Sequence, residues 1–289
     1  MKRNTLLLAN VAVALLGAAA AHADFTVTAA GPINSNGPVG DAGNGTINAT
    51  YTGANSLFGT LNFSGDLTDG GVGTFKSEAR WRITNSTLGG AADFQPTTGN
   101  GFSGTINVTK SVSVLAWANM NDAFSFEAFE SFNDSGLDAY WTNVNFTFTG
   151  SVTPTNLGTY VSGTSLSFDT FTSSFDTELA LYTAGGVKIA ENDDAGSGLQ
   201  SEINAGVLAD GNYLLVAGGY NSSFGNGFAF GGAASGSLNV NVNGSSVFAG
   251  DHAAGSLDTF AFSVGPVPEP GTLAVLGLGL VPFLRRRRK

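Results

Sequence analysis

Alternation of apolar and small polar residues with a period of two is the feature that most narrows what this chain can fold into. It recurs in Thr105-Ile106-Asn107-Val108-Thr109, Asn143-Val144-Asn145-Phe146-Thr147-Phe148, Leu238-Asn239-Val240-Asn241-Val242 and Thr259-Phe260-Ala261-Phe262-Ser263-Val264. Successive side chains of a strand point to opposite faces, so each stretch turns one apolar face inward and one polar face outward. Between them lie turn formers such as Asp69-Gly70-Gly71, Ala184-Gly185-Gly186 and Asp210-Gly211-Asn212, and no stretch of the body carries a helical stripe. The pattern predicts an all-β protein of two antiparallel β-sandwich, jelly-roll-like domains, with helices only at its two ends.

Composition supports that reading. The 289 residues include 41 glycines and 22 phenylalanines, enough apolar surface for sandwich cores. Without cysteine, neither disulfides nor thiolate metal sites hold the chain together. The stretch Gly150 to Asn156, with Pro154 in its middle, reads as the link between two strand sets. We therefore divide the chain into residues 1–23, 24–150, 151–265 and 266–289. The Gly-rich stretch Ala217 to Ser237 reads as a long surface loop.

Both ends read as sorting signals. Basic Lys2 and Arg3, an apolar run to Ala20 and the small-residue site Ala21-His22-Ala23 make a secretory signal peptide. Sec translocon and signal peptidase are then its partners, and Asp24 becomes the mature N-terminus. At the other end, Pro268-Glu269-Pro270 precedes an uncharged segment to Leu284 and the basic stop Arg285, Arg286, Arg287, Arg288 and Lys289. As a helix, Gly271 to Leu284 reaches roughly 21 Å at 1.5 Å per residue, short of a ~30 Å hydrocarbon core. The basic cluster holds its own side cytoplasmic and leaves the body outside.

These tail residues resemble the PEP-CTERM sorting domain, with its three parts in order. The resemblance implies an exosortase-type membrane transpeptidase as partner, and export to the outer surface or the extracellular matrix, with transient or persistent inner-membrane attachment. A second resemblance lies in Ser165 to Phe168, Phe175 to Tyr182, Ala190 to Asp194 and Gly211 to Val216. These are similar to successive strands of the pre-peptidase C-terminal type of β-sandwich, generally an appended non-catalytic module. No protease domain precedes it here.

Residues 24–267 hold 21 acids and five bases, Lys76, Arg80, Arg82, Lys110 and Lys188, a net charge near −16. Such a surface repels nucleic acid and anionic membranes and attracts cations. Catalytic motifs are missing: there is no Gly-x-Ser-x-Gly, Ser-x-x-Lys or His-Glu-x-x-His. His252, the one histidine of the mature body, reads as an exposed turn residue. Glu127 and Glu130 are the carboxylates closest to a glycosidase pattern, being flanked by aromatics.

The cluster Glu191-Asn192-Asp193-Asp194 carries a sharper signal, because adjacent carboxylates repel unless solvent or a cation compensates. Calcium takes oxygen ligands of this kind. Asp176 converges on Asn192, Asp193 and Asp194 if the two segments form a hairpin, which makes these four the candidate calcium ligands. The expected function is thus an exported structural or interaction protein of the cell surface or exopolysaccharide matrix. A glycan-binding module is the alternative, with Trp81, between Arg80 and Arg82, as the aromatic to stack on sugar. A glycoside-acting enzyme ranks third.

Overall fold

A computed structural model describes residues 24–71, 75–132, 137–195 and 198–266. The signal peptide, its cleavage site and the C-terminal hydrophobic segment lie outside the described residues. Within them the chain is all-β. No described helix is long and apolar enough to cross a membrane.

The first nine strands are β1 (Phe25–Ala29), β2 (Ile33–Ser35), β3 (Thr46–Thr50), β4 (Ser56–Asp69), β5 (Ala79–Asn85), β6 (Gly90–Phe94), β7 (Thr105–Ala118), β8 (Ala123–Glu130) and β9 (Ala139–Ser151). After Val152 to Pro154 come β10 (Thr155–Val161), β11 (Ser165–Asp169), β12 (Thr177–Thr183), β13 (Lys188–Asn192), β14 (Glu202–Val207) and β15 (Gly211–Gly219). The last five are β16 (Ser223–Gly225), β17 (Phe228–Phe230), β18 (Gly236–Val242), β19 (Ser245–His252) and β20 (Asp258–Gly265).

They form four sheets. A seven-stranded sheet in the order β1-β9-β4-β7-β17-β16, with β2 also on β9, faces the four-stranded sheet β3-β8-β5-β6. A five-stranded sheet, β10-β20-β15-β12-β13, faces the four-stranded sheet β14-β11-β18-β19. Pairing is antiparallel except between β10 and β20, which run parallel. Each facing pair encloses a core whose residues come from the apolar phase of the alternating strands. Phe146, Val144 and Phe148 of β9 enter the first core, and Leu238, Val240 and Val242 of β18 enter the second.

A third core joins the two sandwiches back to back. Its residues are Leu115, Trp117, Ala180, Tyr182, Leu214, Val216 and Ala229. They fill the phase that alternation alone assigns to solvent. Val114, Ala116 and Ala118 point into the first sandwich while Leu115 and Trp117 point away from it. Likewise Leu179 and Leu181 enter the second core while Ala180 and Tyr182 enter the seam. Strands covered on both faces read as unbroken apolar runs, and Val114 to Ala118, Leu179 to Tyr182 and Tyr213 to Ala217 are such runs. Trp117 and Tyr182 meet across the seam with ring centroids 4.7 Å apart.

The Gly-rich stretch from Ala217 to Ser237 is not a surface loop. It contains the β16–β17 hairpin, and β17 pairs with β7 of the first sandwich. Phe228 enters the first core and Ala229 the seam, both with 0% exposure. Its many glycines mask an alternating segment, Phe228-Ala229-Phe230, too short to stand out. Lys188 clamps the hairpin: its Nζ donates to Phe224 O at 2.6 Å, and its backbone N–H donates to Asn226 Oδ1 at 2.8 Å.

Candidate cation site and sorting tail

The acidic turn is positioned by the second sandwich. β12 and β13 form an antiparallel hairpin in which Leu179 pairs with Asn192. Asp193 and Asp194 follow β13 directly, and Asp176 directly precedes β12, so the hairpin register carries all three to one end. Their carboxylate oxygens lie within 4.8 Å of one another. Ser201 anchors the turn from beneath, its hydroxyl contacting the backbone oxygens of Asp193 and Thr177.

Asn192 serves differently from its three neighbours, since its Oδ1 accepts the Glu202 backbone N–H at 3.0 Å and ties the turn to β14. In its place stands a residue that sequence reasoning passed over. Glu178 is 7% exposed, and its Oε1 accepts the Asn221 backbone N–H at 2.7 Å. Burial pushes its carboxyl up to about 7, with Asp193 and Asp176 adding to the rise. Burial also raises Asp176, reinforced by Asp193 and Asp194. An acid in the middle of the apolar run Thr177-Glu178-Leu179-Ala180 was the available signal. The concavity above these groups has a volume of about 580 Å³ and is bordered by Glu178, Asp193, Asp194 and Asn221. An oxygen-rich, negatively charged hollow of this kind can hold a hard divalent cation.

The aromatic and histidine candidates fare differently. Trp81 has 0% exposure and sits among Phe63, Trp141 and Phe146, with centroid distances of 6.2, 5.9 and 5.0 Å. It therefore offers no face to a sugar, because β5 directs residue 81 inward and Arg80 and Arg82 outward. Trp141 and Trp117 are buried as well. Glu127 and Glu130 lie three residues apart on β8 and so on opposite faces. Glu127 accepts from the Gly40 N–H and from Asn44 Nδ2, while Glu130 is buried. They do not form a glycosidase pair.

His252 is not an exposed turn residue. It ends β19 with 3% exposure, stacks on Phe175 at 4.9 Å and places Nδ1 2.5 Å from Asp258 Oδ2. Ser256 Oγ approaches the same Nδ1 at 3.4 Å. A nucleophile triad needs its serine and its acid on opposite ring nitrogens. This arrangement is therefore a packing feature.

The tail beyond Pro266 identifies the chain's route. Residues 266–289 match the family model for the PEP-CTERM protein-sorting motif. The chain carries a PEP-CTERM tail. Such a tail marks an exported protein, attached transiently at the membrane and sorted by an exosortase. The PEP-CTERM match takes in Pro268, Glu269 and Pro270, the apolar segment and the basic stop. No curated protein and no solved structure matches the chain.

Proposed function

We propose that this PEP-CTERM protein delivers a non-catalytic, acidic double sandwich to the cell surface or exopolysaccharide matrix, where it serves as a structural or interaction module. The observation that carries the reading is the sorting tail joined to a β body near −16. A rigid, polyanionic, Gly/Asn-rich surface suits a hydrated matrix, where cations bridge acidic groups. Mass spectrometry of the protein from its host tests the route. We expect a chain that begins at Asp24 and lacks the segment after Pro270. An intact Arg285 to Lys289 tail would mean a permanently tethered protein instead.

Calcium is the proposed ligand of Asp176, Asp193 and Asp194, with Glu178 beneath them. Protons compete with the ion here. In a group whose folded pKa is raised, the folded state binds the proton more tightly, so stability falls as pH climbs from the ordinary glutamate value of about 4.5 to about 7. Millimolar calcium should therefore raise the melting temperature more at pH 8 than at pH 5. Asp193→Ala should abolish the rise, whereas an unchanged melting curve at pH 8 would remove calcium from this turn.

A second reading has one observation in its favour. A cleft of about 700 Å³ opens between the two sandwiches, bordered by Asn55, Asn119, Asn156, Asn212, Trp117 and Tyr213, with no charged side chain. Neutral amides beside aromatic edges suit an uncharged polysaccharide. Affinity electrophoresis in neutral exopolysaccharide separates the readings: retardation that Asn212→Ala relieves makes the protein a glycan binder, and free migration leaves the matrix-module reading standing.

A further inference from the structure

The outer face of the seven-stranded sheet changes character along its length. On β7 the outward phase runs from Thr105 and Asn107 through Ser111 and Ser113 to Leu115 and Trp117. Leu115 and Trp117 are covered by the second sandwich, whereas Thr105 to Ser113 of the same phase are exposed. The cover stops where the composition switches from apolar to hydroxyl and amide. Strand register carries the switch across the sheet. Asn62 of β4 stands between Ser111 and Thr147, Ser64 stands between Thr109 and Asn145, and Thr26 of β1 stands beside Thr147.

These side chains are tied to one another across the strands. Thr26 Oγ1 donates to Thr147 Oγ1 at 3.3 Å, and Thr147 Oγ1 donates to Asn145 Oδ1 at 2.9 Å. Asn62 Nδ2 donates to Thr149 Oγ1 at 3.3 Å, and the hydroxyls of Thr68 and Thr105 lie 2.9 Å apart. Threonine is stiff at χ1, and its hydroxyl is held further by such bonds. A face ordered in advance loses little side-chain entropy when it binds.

Charge narrows the partner. The body between residues 24 and 267 is near −16, yet on this phase of β1, β4, β7 and β9 Asp66 is the single charged residue. Its two oxygens accept Asn107 Nδ2 at 2.9 Å and Asn143 Nδ2 at 2.8 Å. Lys110 stands opposite Phe63 and so belongs to the other phase. A polyanion would meet repulsion from the rest of the body, whereas an uncharged partner meets none here. With strands about 4.8 Å apart and same-face residues about 6.7 Å apart, the array spans roughly 14 Å by 27 Å. That is well under the ~800 Å² a side of a stable protein interface, and it lacks the apolar centre of one. A second folded copy is therefore poorly matched. A partner that itself repeats hydroxyls fits better, because many weak hydrogen bonds then form in register.

We propose that this face binds an ordered, uncharged polysaccharide whose packed chains lie across β1, β9, β4 and β7. A single dissolved chain meets one row of the array, while chains packed side by side meet several rows at once and the contacts reinforce one another. The inference rests on the matrix reading for the presence of polysaccharide. Its site is separate from the cleft bordered by Asn212.

The test is co-sedimentation of the processed protein, purified from its host in chelator, with microcrystalline cellulose and with chitin. Retention should persist in chelator and in high salt, because no ion pair carries it. Ser111→Glu sets a charge in the middle of the face and should weaken binding about tenfold or more. Thr147→Val keeps the branched shape that suits a strand and removes the hydroxyl between Thr26 and Asn145, which should weaken binding about two- to tenfold. Asn212→Ala should leave binding unchanged. If Ser111→Glu fails to fold, Thr147→Val decides alone. No retention on either solid, retention indifferent to both face variants, loss on Asn212→Ala, or equal retention on insoluble polygalacturonate each overturns the proposal. Failure of the matrix reading would appear separately, as absence of the protein from the host's matrix fraction.

Discussion

Phe146→Ala should cost the fold about 3–5 kcal/mol, a large fraction of the ~5–15 kcal/mol that separates a folded domain from its unfolded chain. Phe146 has 0% exposure, and Phe63, Trp81 and Phe126 pack against its ring. Phe63 and Trp81 stand at 5.0 Å, Phe126 at 4.6 Å, and Trp141 packs on both Phe63 and Trp81. Truncation removes the ring's transfer free energy and leaves a cavity that these neighbours cannot refill, since each is itself held in a strand register. Urea unfolding monitored by tryptophan fluorescence reads the loss directly, because Trp81 lines the cavity and Trp141 packs on Trp81. A midpoint shift worth less than about 1 kcal/mol would mean that the cluster is loosely packed.

Ala229→Glu should uncouple the two sandwiches. Ala229 sits on β17, opposite Leu115 of β7, and contributes to the seam core with 0% exposure. A carboxylate placed there enters an apolar layer and must either open the seam to water or remain charged within it, and opening is the cheaper response. Differential scanning calorimetry should show one transition in the native chain and two in the variant, the seam cost being about 3–5 kcal/mol. A single variant transition with an unchanged midpoint would show that the seam contributes little coupling. The control is Ala229→Ser, which adds only a small hydroxyl and should keep the single transition.

Both results depend on a feature that alternation only half revealed. Period-two patterning in β9, β18 and β20 predicts their inward faces residue by residue, and Phe146, Val240 and Phe262 lie where that phase puts them. β7, β12 and β15 break the pattern with continuous apolar runs. Such runs say that both faces are covered and leave open what covers them. The covering layer came from the other sandwich, β12 and β15 against β7, while a hairpin at residues 223–230, whose glycines resemble loop composition, extends the sheet beside β7. Trp81 shows the same limit from the other side. Flanking arginines give it the look of an exposed binding residue, but on a strand the neighbours of an inward residue point outward, so Arg80 and Arg82 are what an inward Trp81 requires.

The acidic groups divide along the same line. Asp176, Asp193 and Asp194 are close in sequence, and a single hairpin was enough to bring their carboxylates within 4.8 Å. Glu178 joined them only because Asn221, 43 residues away, returns to donate its N–H. By itself, the amino-acid sequence determined the all-β class, the inward phase of the alternating strands, the strongly acidic body and the sorting tail at 266–289, because each depends on residues adjacent along the chain. Only the tertiary structure decided the back-to-back seam, the donated hairpin and the burial of Trp81, His252 and Glu130, because each requires strands from distant parts of the chain to close over one another, and burial is a property of that closure.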